Sequence, residues 1–130
     1  MAVDWLEVLG WTEEQLEDLR VTGYRYLSQG HYERALIFFD ALVALNPDSL
    51  FDLQVLGALC LQLGNAVRAL EVLEKVTLRD PVNEIALLNK AKALLILGNR
   101  REGLILAREL AKEAGKPIKG YAEALVLAYQ

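Results

Sequence analysis

Glycine returns at a fixed interval in this chain: Gly30, Gly64 and Gly98 stand 34 residues apart. The same interval separates Gly23 from Gly57, Ala35 from Ala69, and Pro47 from Pro81. A period of this length marks one supersecondary unit that cannot bury its apolar side alone and must stack on copies of itself. Overlaid, "LSQGHYERALIFFDALVALNPD" and "LQLGNAVRALEVLEKVTLRDPV" share Leu-x-x-Gly, then x-x-x-Arg-Ala-Leu, an apolar stretch and a closing Pro. A third copy, "LILGNRREGLILARELAKEAGKP", keeps Gly98 and the apolar rhythm.

Each unit reads as two helices. Leu16, Leu19, Gly23, Tyr26 and Leu27 form a helical stripe, and Thr12 with Gln15 three residues later makes a capping box at its start. Gly30 falls where a left-handed residue ends that helix, a conformation glycine adopts without a Cβ penalty. The second helix runs from about 32 to 45 and stops at Asn46-Pro47, with Pro47 suited to the first turn of the next. The later copies predict helices near 48–62, 66–78, 82–96 and 100–113. Closely approaching helices need small residues where they cross. The spacing therefore sets Gly23 against Ala35, Gly57 against Ala69 and Ala91 against Gly103.

The length of 130 residues fits one domain with a core of its own. Asp40, Asp52, Arg68 and Lys90 interrupt every apolar run well short of the roughly 18 residues that a membrane span needs. The start, "MAVDWLEVLGW", lacks the basic region and apolar stretch of a secretory signal, and one cysteine forms no internal disulfide framework. Both features predict a cytoplasmic protein. The net charge of −4 is polarised, with ten acidic against three basic residues in 1–60 and eight against eleven in 61–130. No dense Lys/Arg run with interleaved aromatics occurs, so nucleic acid is not an expected partner.

Candidate chemistry falls away on inspection. His31 is the only histidine, so no multi-histidine metal site forms, and Ser28 and Ser49 lack the orienting groups of a nucleophilic triad. His31 is expected in an exposed turn between helices, and Cys60 in the core. Glu13, Glu14, Glu17 and Asp18 read as a solvated first turn, and "GKPIKG" lacks the spacing of a phosphate loop. No enzyme activity, metal or cofactor is expected.

Gly23, Tyr26, Ala35, Phe39 and Pro47, then Gly57, Ala69 and Pro81, resemble the tetratricopeptide-repeat (TPR) pattern. The resemblance implies an all-α TPR solenoid, a single domain over 1–130. Three helix-turn-helix repeats cover about 16–49, 50–83 and 84–117, with an N-terminal segment 1–11 and a C-terminal helix 118–130. The third copy departs from the pattern, with Gly115 in place of the closing Pro. In stacked TPR units the first helices line a concave groove that holds a peptide. Groove positions map to Arg20, Tyr24, Leu27 and Ser28, then to Phe51, Gln54, Val55, Ala58, Leu61 and Gln62. The third unit supplies Ile85, Leu88, Asn89, Lys92, Leu95 and Ile96. Adaptors that clamp acidic chaperone tails need several basic side chains there, and Tyr24, Val55 and Ile85 occupy most of those places. An apolar groove suits a partner that presents aliphatic or aromatic side chains.

Small acidic proteins of three such repeats resemble the type III secretion chaperones of Gram-negative bacteria. "YLSQGHYERALIFFDALVALNPDS" and "LGALCLQLGNAVRALE" are similar to that family's first two repeats. The resemblance implies a bacterial cytoplasmic chaperone that binds an apolar or amphipathic segment of a secreted needle or translocator subunit and prevents its premature assembly or aggregation. A small co-chaperone is a further implied partner. A general scaffold joining proteins of a bacterial complex is the second reading. The apolar ends, with Val3, Trp5, Leu6, Val8, Leu9 and Trp11 at one side and "GYAEALVLAYQ" at the other, offer surfaces for a partner or for pairing of two copies.

Overall fold

A computed structural model describes residues 4–130, and among these every regular element is a helix. They are α1 (Trp5–Leu9), α2 (Glu13–Ser28), α3 (Tyr32–Leu45), α4 (Leu50–Gln62), α5 (Ala66–Arg79), α6 (Glu84–Ile96), α7 (Arg100–Glu113) and α8 (Ile118–Tyr129). The expectation placed on Val3 lies outside the described residues, as does that on the side chain of Trp5.

The recurring glycines are the joints. Gly30, Gly64 and Gly98 take φ of 79°, 86° and 88°. At each joint two hydrogen bonds close the preceding helix, for example Gly30 N–H to Leu27 O at 3.0 Å and His31 N–H to Tyr26 O at 2.9 Å. The same pairs recur at Gly64 with Asn65 and at Gly98 with Asn99. This Schellman geometry satisfies carbonyls that a helix end leaves open, and its left-handed residue would cost a side chain about 1–2 kcal/mol. The residue after each glycine stands at the N-cap of the next helix, where Asn65 accepts from Arg68 N–H, so the chain reverses with no slack. His31 is such a residue, exposed and edge-on to the Tyr26 ring. The capping box forms as well: Gln15 N–H donates to Thr12 Oγ1, and Thr12 N–H donates to Gln15 Oε1.

Packing between paired helices differs from the sequence expectation by one turn. A Cβ on Gly23 would lie 2.8 Å from Phe38 Cβ and 3.0 Å from Phe39 Cε2. One on Gly57 would lie 2.8 Å from Leu73 Cγ, and one on Gly103 would lie 2.7 Å from Leu95 Cγ. The atoms nearest each glycine therefore belong to large side chains one turn along from Ala35, Ala69 and Ala91. Two small residues face to face would leave a void, and interiors pack to crystal density. Ala35, Ala69 and Ala91 are fully buried all the same.

One core runs from Leu16 through Phe39, Leu42, Leu56, Leu73 and Val76 to Ala93. A second, at Leu110, Ala114 and Ala122, seats α8 against α6 and α7. The third unit has Gly115 where the earlier units have proline, with Pro117 two residues later, and Gly115 N–H donates to Glu84 Oε2 at 3.1 Å, tying the turn before α8 to the start of α6.

The direction of curvature follows from which helices approach. The backbones of α4 and α6, and of α6 and α8, come into contact, whereas those of α3, α5 and α7 do not contact one another among the described residues. The first helices of the units therefore lie on the inside of the bend.

Candidate functional site

The inner face is built from α2, α4 and α6. Between α2 and α4 the backbones do not come into contact, and long side chains span the gap. Arg20 Nε and Nη2 each donate to Asp52, at 2.8 Å to Oδ1 and 2.8 Å to Oδ2, and Nη1 donates to Glu17. Asp52 has no exposed surface and the Arg20 side chain is 22% exposed. The guanidinium is held charged more firmly than usual by Asp52 first, against burial, with Glu17 adding to the effect. Arg20 is thus a tie between two units, and its donors toward the carboxylate are used. Its place on the groove was legible from the repeat; its engagement was not.

Beside this tie, the rings of Tyr24 and Phe51 stack with centroids 6.3 Å apart and planes inclined by 15°. Both are about half exposed, at 47% and 49%. With Val21, Arg25 and Ser28 they border a depression of about 420 Å³ whose wall is mostly apolar. Val21 and Arg25 were not among the sequence-predicted residues. Val21 stands three residues before Tyr24 and four before Arg25 on the same helix, and that spacing was the available signal.

The remaining predicted positions divide by depth. Ile85, Lys92, Gln62 and Ile96 are exposed, and Leu27, Val55, Ala58, Leu88 and Asn89 are half-buried along the inner face. Gln54 is half-buried and accepts from Asn83 Nδ2 at 2.6 Å, so its carbonyl is already partnered within the chain. Leu61 and Leu95, expected on the groove, are buried in the core. The Leu95 side chain lies directly over Gly103, and Leu61 occupies the same place one unit earlier. A residue at this turn of the first helix points toward its paired helix, which the position alone did not distinguish.

Among the described residues no group of His, Cys, Asp and Glu is placed to hold a metal ion. Arg20, Asp52 and the Gln54 carbonyl are partnered within the chain, and Tyr24, Phe51, Ile85 and Ile96 present aromatic and aliphatic surface to water alongside Gln62 and Lys92. Burying one aliphatic side chain there is worth about 1.5–3 kcal/mol. No described helix is long and apolar enough to cross a membrane.

No protein-family model matches the chain, and no curated protein sequence does. Solved structures do. PcrH from Pseudomonas aeruginosa is 27% identical, with 91% of this chain and 93% of that chain covered at a TM-score of 0.75. PcrH in complex with the chaperone-binding region of PopD is 27% identical, with 91% and 92% covered and a TM-score of 0.77. The type III secretion chaperone SycD of Yersinia enterocolitica, solved with a peptide of the translocator YopD, is 25% identical, with 92% and 98% covered and a TM-score of 0.72. The likeness spans nine tenths of this chain and at least as much of the others. In fold and in sequence, this chain resembles the TPR-like chaperones of type III secretion.

Proposed function

We propose that the chain is a non-enzymatic chaperone whose inner face holds an apolar or amphipathic segment of a secreted type III client and keeps it from premature assembly or aggregation. The observation that carries this reading is the half-exposed Tyr24–Phe51 stack beside the internally paired Arg20 and Asp52. Two aromatic rings left open to water, beside an arginine already paired and with Arg25 at the border, make a surface for the apolar side of an amphipathic segment. Exposed contiguous apolar surface of this kind marks interaction sites.

Of the two client classes, a translocator is favoured over a needle subunit, because PcrH and SycD were solved with segments of PopD and YopD. The physical task is substitution: the groove replaces water around side chains that would otherwise find another copy of the client. The same reading places the protein in the bacterial cytoplasm, where a client is held before export. The exposed Val8 and Leu9 of α1 supply a surface for a small co-chaperone.

Co-expression tests the reading. A translocator segment that is insoluble alone is expected to become soluble and to co-purify with this chain at a fixed stoichiometry. A segment that stays in the pellet and does not co-purify would contradict it.

A further inference from the structure

The inner face keeps almost all charge away from water. On α4 the stripe facing the groove runs from Phe51 through Gln54, Val55 and Ala58 to Gln62 and carries no charge. On α6 the matching stripe is Ile85, Leu88, Asn89, Lys92 and Ile96, and Lys92 is its one charge. On α2 the face uses its charges internally, because Arg20 holds both Asp52 and Glu17. Lys92 is exposed, and no carboxylate lies within ion-pair distance of it among the described residues. Leu88 and Asn89 stand one turn before it and Ile96 one turn after, so the ammonium rises from the middle of the stripe. The outer helix α7 carries four basic and three acidic residues, so solubility is supplied on the other side of the bend. An isolated cation inside it needs another reason.

We propose that Lys92 sets the charge preference of the groove by pairing with an aspartate or glutamate of the client segment whose apolar residue lies on Tyr24 and Phe51. The inference rests on the proposed function and names the polar half of the segment that the groove takes. Charge complementarity carries it. An ammonium set among aliphatic side chains is less screened than one in open water, so a carboxylate brought there gains more from it. A client cation at the same place would meet repulsion with no nearby anion to offset it. The spacing also suits one short segment. Lys92 stands one period and seven residues beyond Phe51, on a helix that packs against α4. Seven residues rise about 10 Å and packed helices lie about 8–10 Å apart, so about 14 Å separates the two positions, the reach of about four extended residues. Arg25, exposed at the border of the depression, has the same charge and lies off the stripes of α4 and α6, which makes it the control.

Fluorescence anisotropy with labelled synthetic peptides tests the proposal on the whole chain. Each peptide has a central leucine among uncharged residues, with Glu, Gln or Lys about four positions to either side. The Glu peptide is expected to bind the wild type about threefold more tightly than the Gln peptide and about tenfold more tightly than the Lys peptide, with a margin that shrinks as salt rises. Lys92→Ala should remove most of this preference, Lys92→Arg should keep it and Lys92→Glu should reverse it. Helical circular dichroism should stay unchanged in all three, since the side chain is exposed. Arg25→Ala should leave most of the preference in place. Equal binding of the Glu and Gln peptides by the wild type would overturn the inference. So would a preference that survives Lys92→Ala, whether or not Arg25→Ala abolishes it. In both cases the proposed function stands if Tyr24→Glu abolishes binding of all the peptides. Binding of no peptide, or binding that Tyr24→Glu leaves unchanged, would instead remove the proposed function and this inference with it.

Discussion

Asp52, without exposed surface, receives two hydrogen bonds from Arg20 at 2.8 Å each across the joint between the first and second units. This is the place where the inner helices are furthest apart, since α2 and α4 do not meet by backbone contact. The pair therefore sets the width of the groove at the end where Tyr24 and Phe51 lie open. The stacked, half-exposed rings of Tyr24 and Phe51 lie beside this ionic tie.

Removing either partner should not cost the same. Arg20→Ala leaves a buried carboxylate unpaired, a situation that destabilises proteins by about 3–5 kcal/mol. Asp52→Ala leaves Arg20 with Glu17 and partial access to water, so its cost should be clearly smaller. Urea unfolding of both variants and of the double Arg20→Leu/Asp52→Leu variant checks this. The double variant should recover most of the stability lost by Arg20→Ala, because apolar replacements leave no orphaned charge.

Gly57→Ala tests the close approach of α4 and α5. The added Cβ would sit 2.8 Å from Leu73 Cγ and Cδ2, inside any ordinary contact. Overpacking of this kind costs about 1–3 kcal/mol. Adding Leu73→Val should restore part of the loss, whereas Gly64→Ala, strained through its φ of 86°, should gain nothing from that second change. Thermal unfolding of the four variants separates the two causes.

What could be read from the sequence here was whatever repeats. Helix ends followed from Gly30, Gly64 and Gly98, because a left-handed residue is needed at each and the period tells where. The capping box at Thr12 and Gln15 was local and equally visible. Depth was harder. Leu61 and Leu95 share the apolar character of Val55 and Leu88, and a one-residue rotation about the helix decides between core and groove. The Arg20–Asp52 tie was invisible for another reason. Asp52 reads as an interruption of the apolar run "LFDLQVLGALCLQL", and nothing local shows that a cation from the previous unit will meet it. The offset of 32 residues, close to one repeat, was the only signal.

Alkaline stability should report on Cys60. Burial pushes its thiol above the ordinary value of 9.0, with Arg68 opposing the shift. A raised folded-state value means that the native protein holds this proton to higher pH than the unfolded chain. Stability from this source is full below the unfolded value and is lost as pH rises through the folded one. The melting temperature should therefore fall between neutral pH and pH about 10, and Cys60→Ala should show a smaller fall over the same range. Equal slopes would show that the thiol makes no contribution.

The central claim is that the open Tyr24–Phe51 surface is where a client's apolar segment binds. Calorimetric titration of a soluble translocator segment into the wild type, Tyr24→Glu and Phe51→Glu tests it most directly. Each glutamate places a charge on an exposed position, so helical content and melting temperature should hold. The account predicts that both variants lose binding by at least about a hundredfold, since a charge forced into an apolar contact costs several kcal/mol. Undiminished affinity in both folded variants would contradict it and place the client elsewhere.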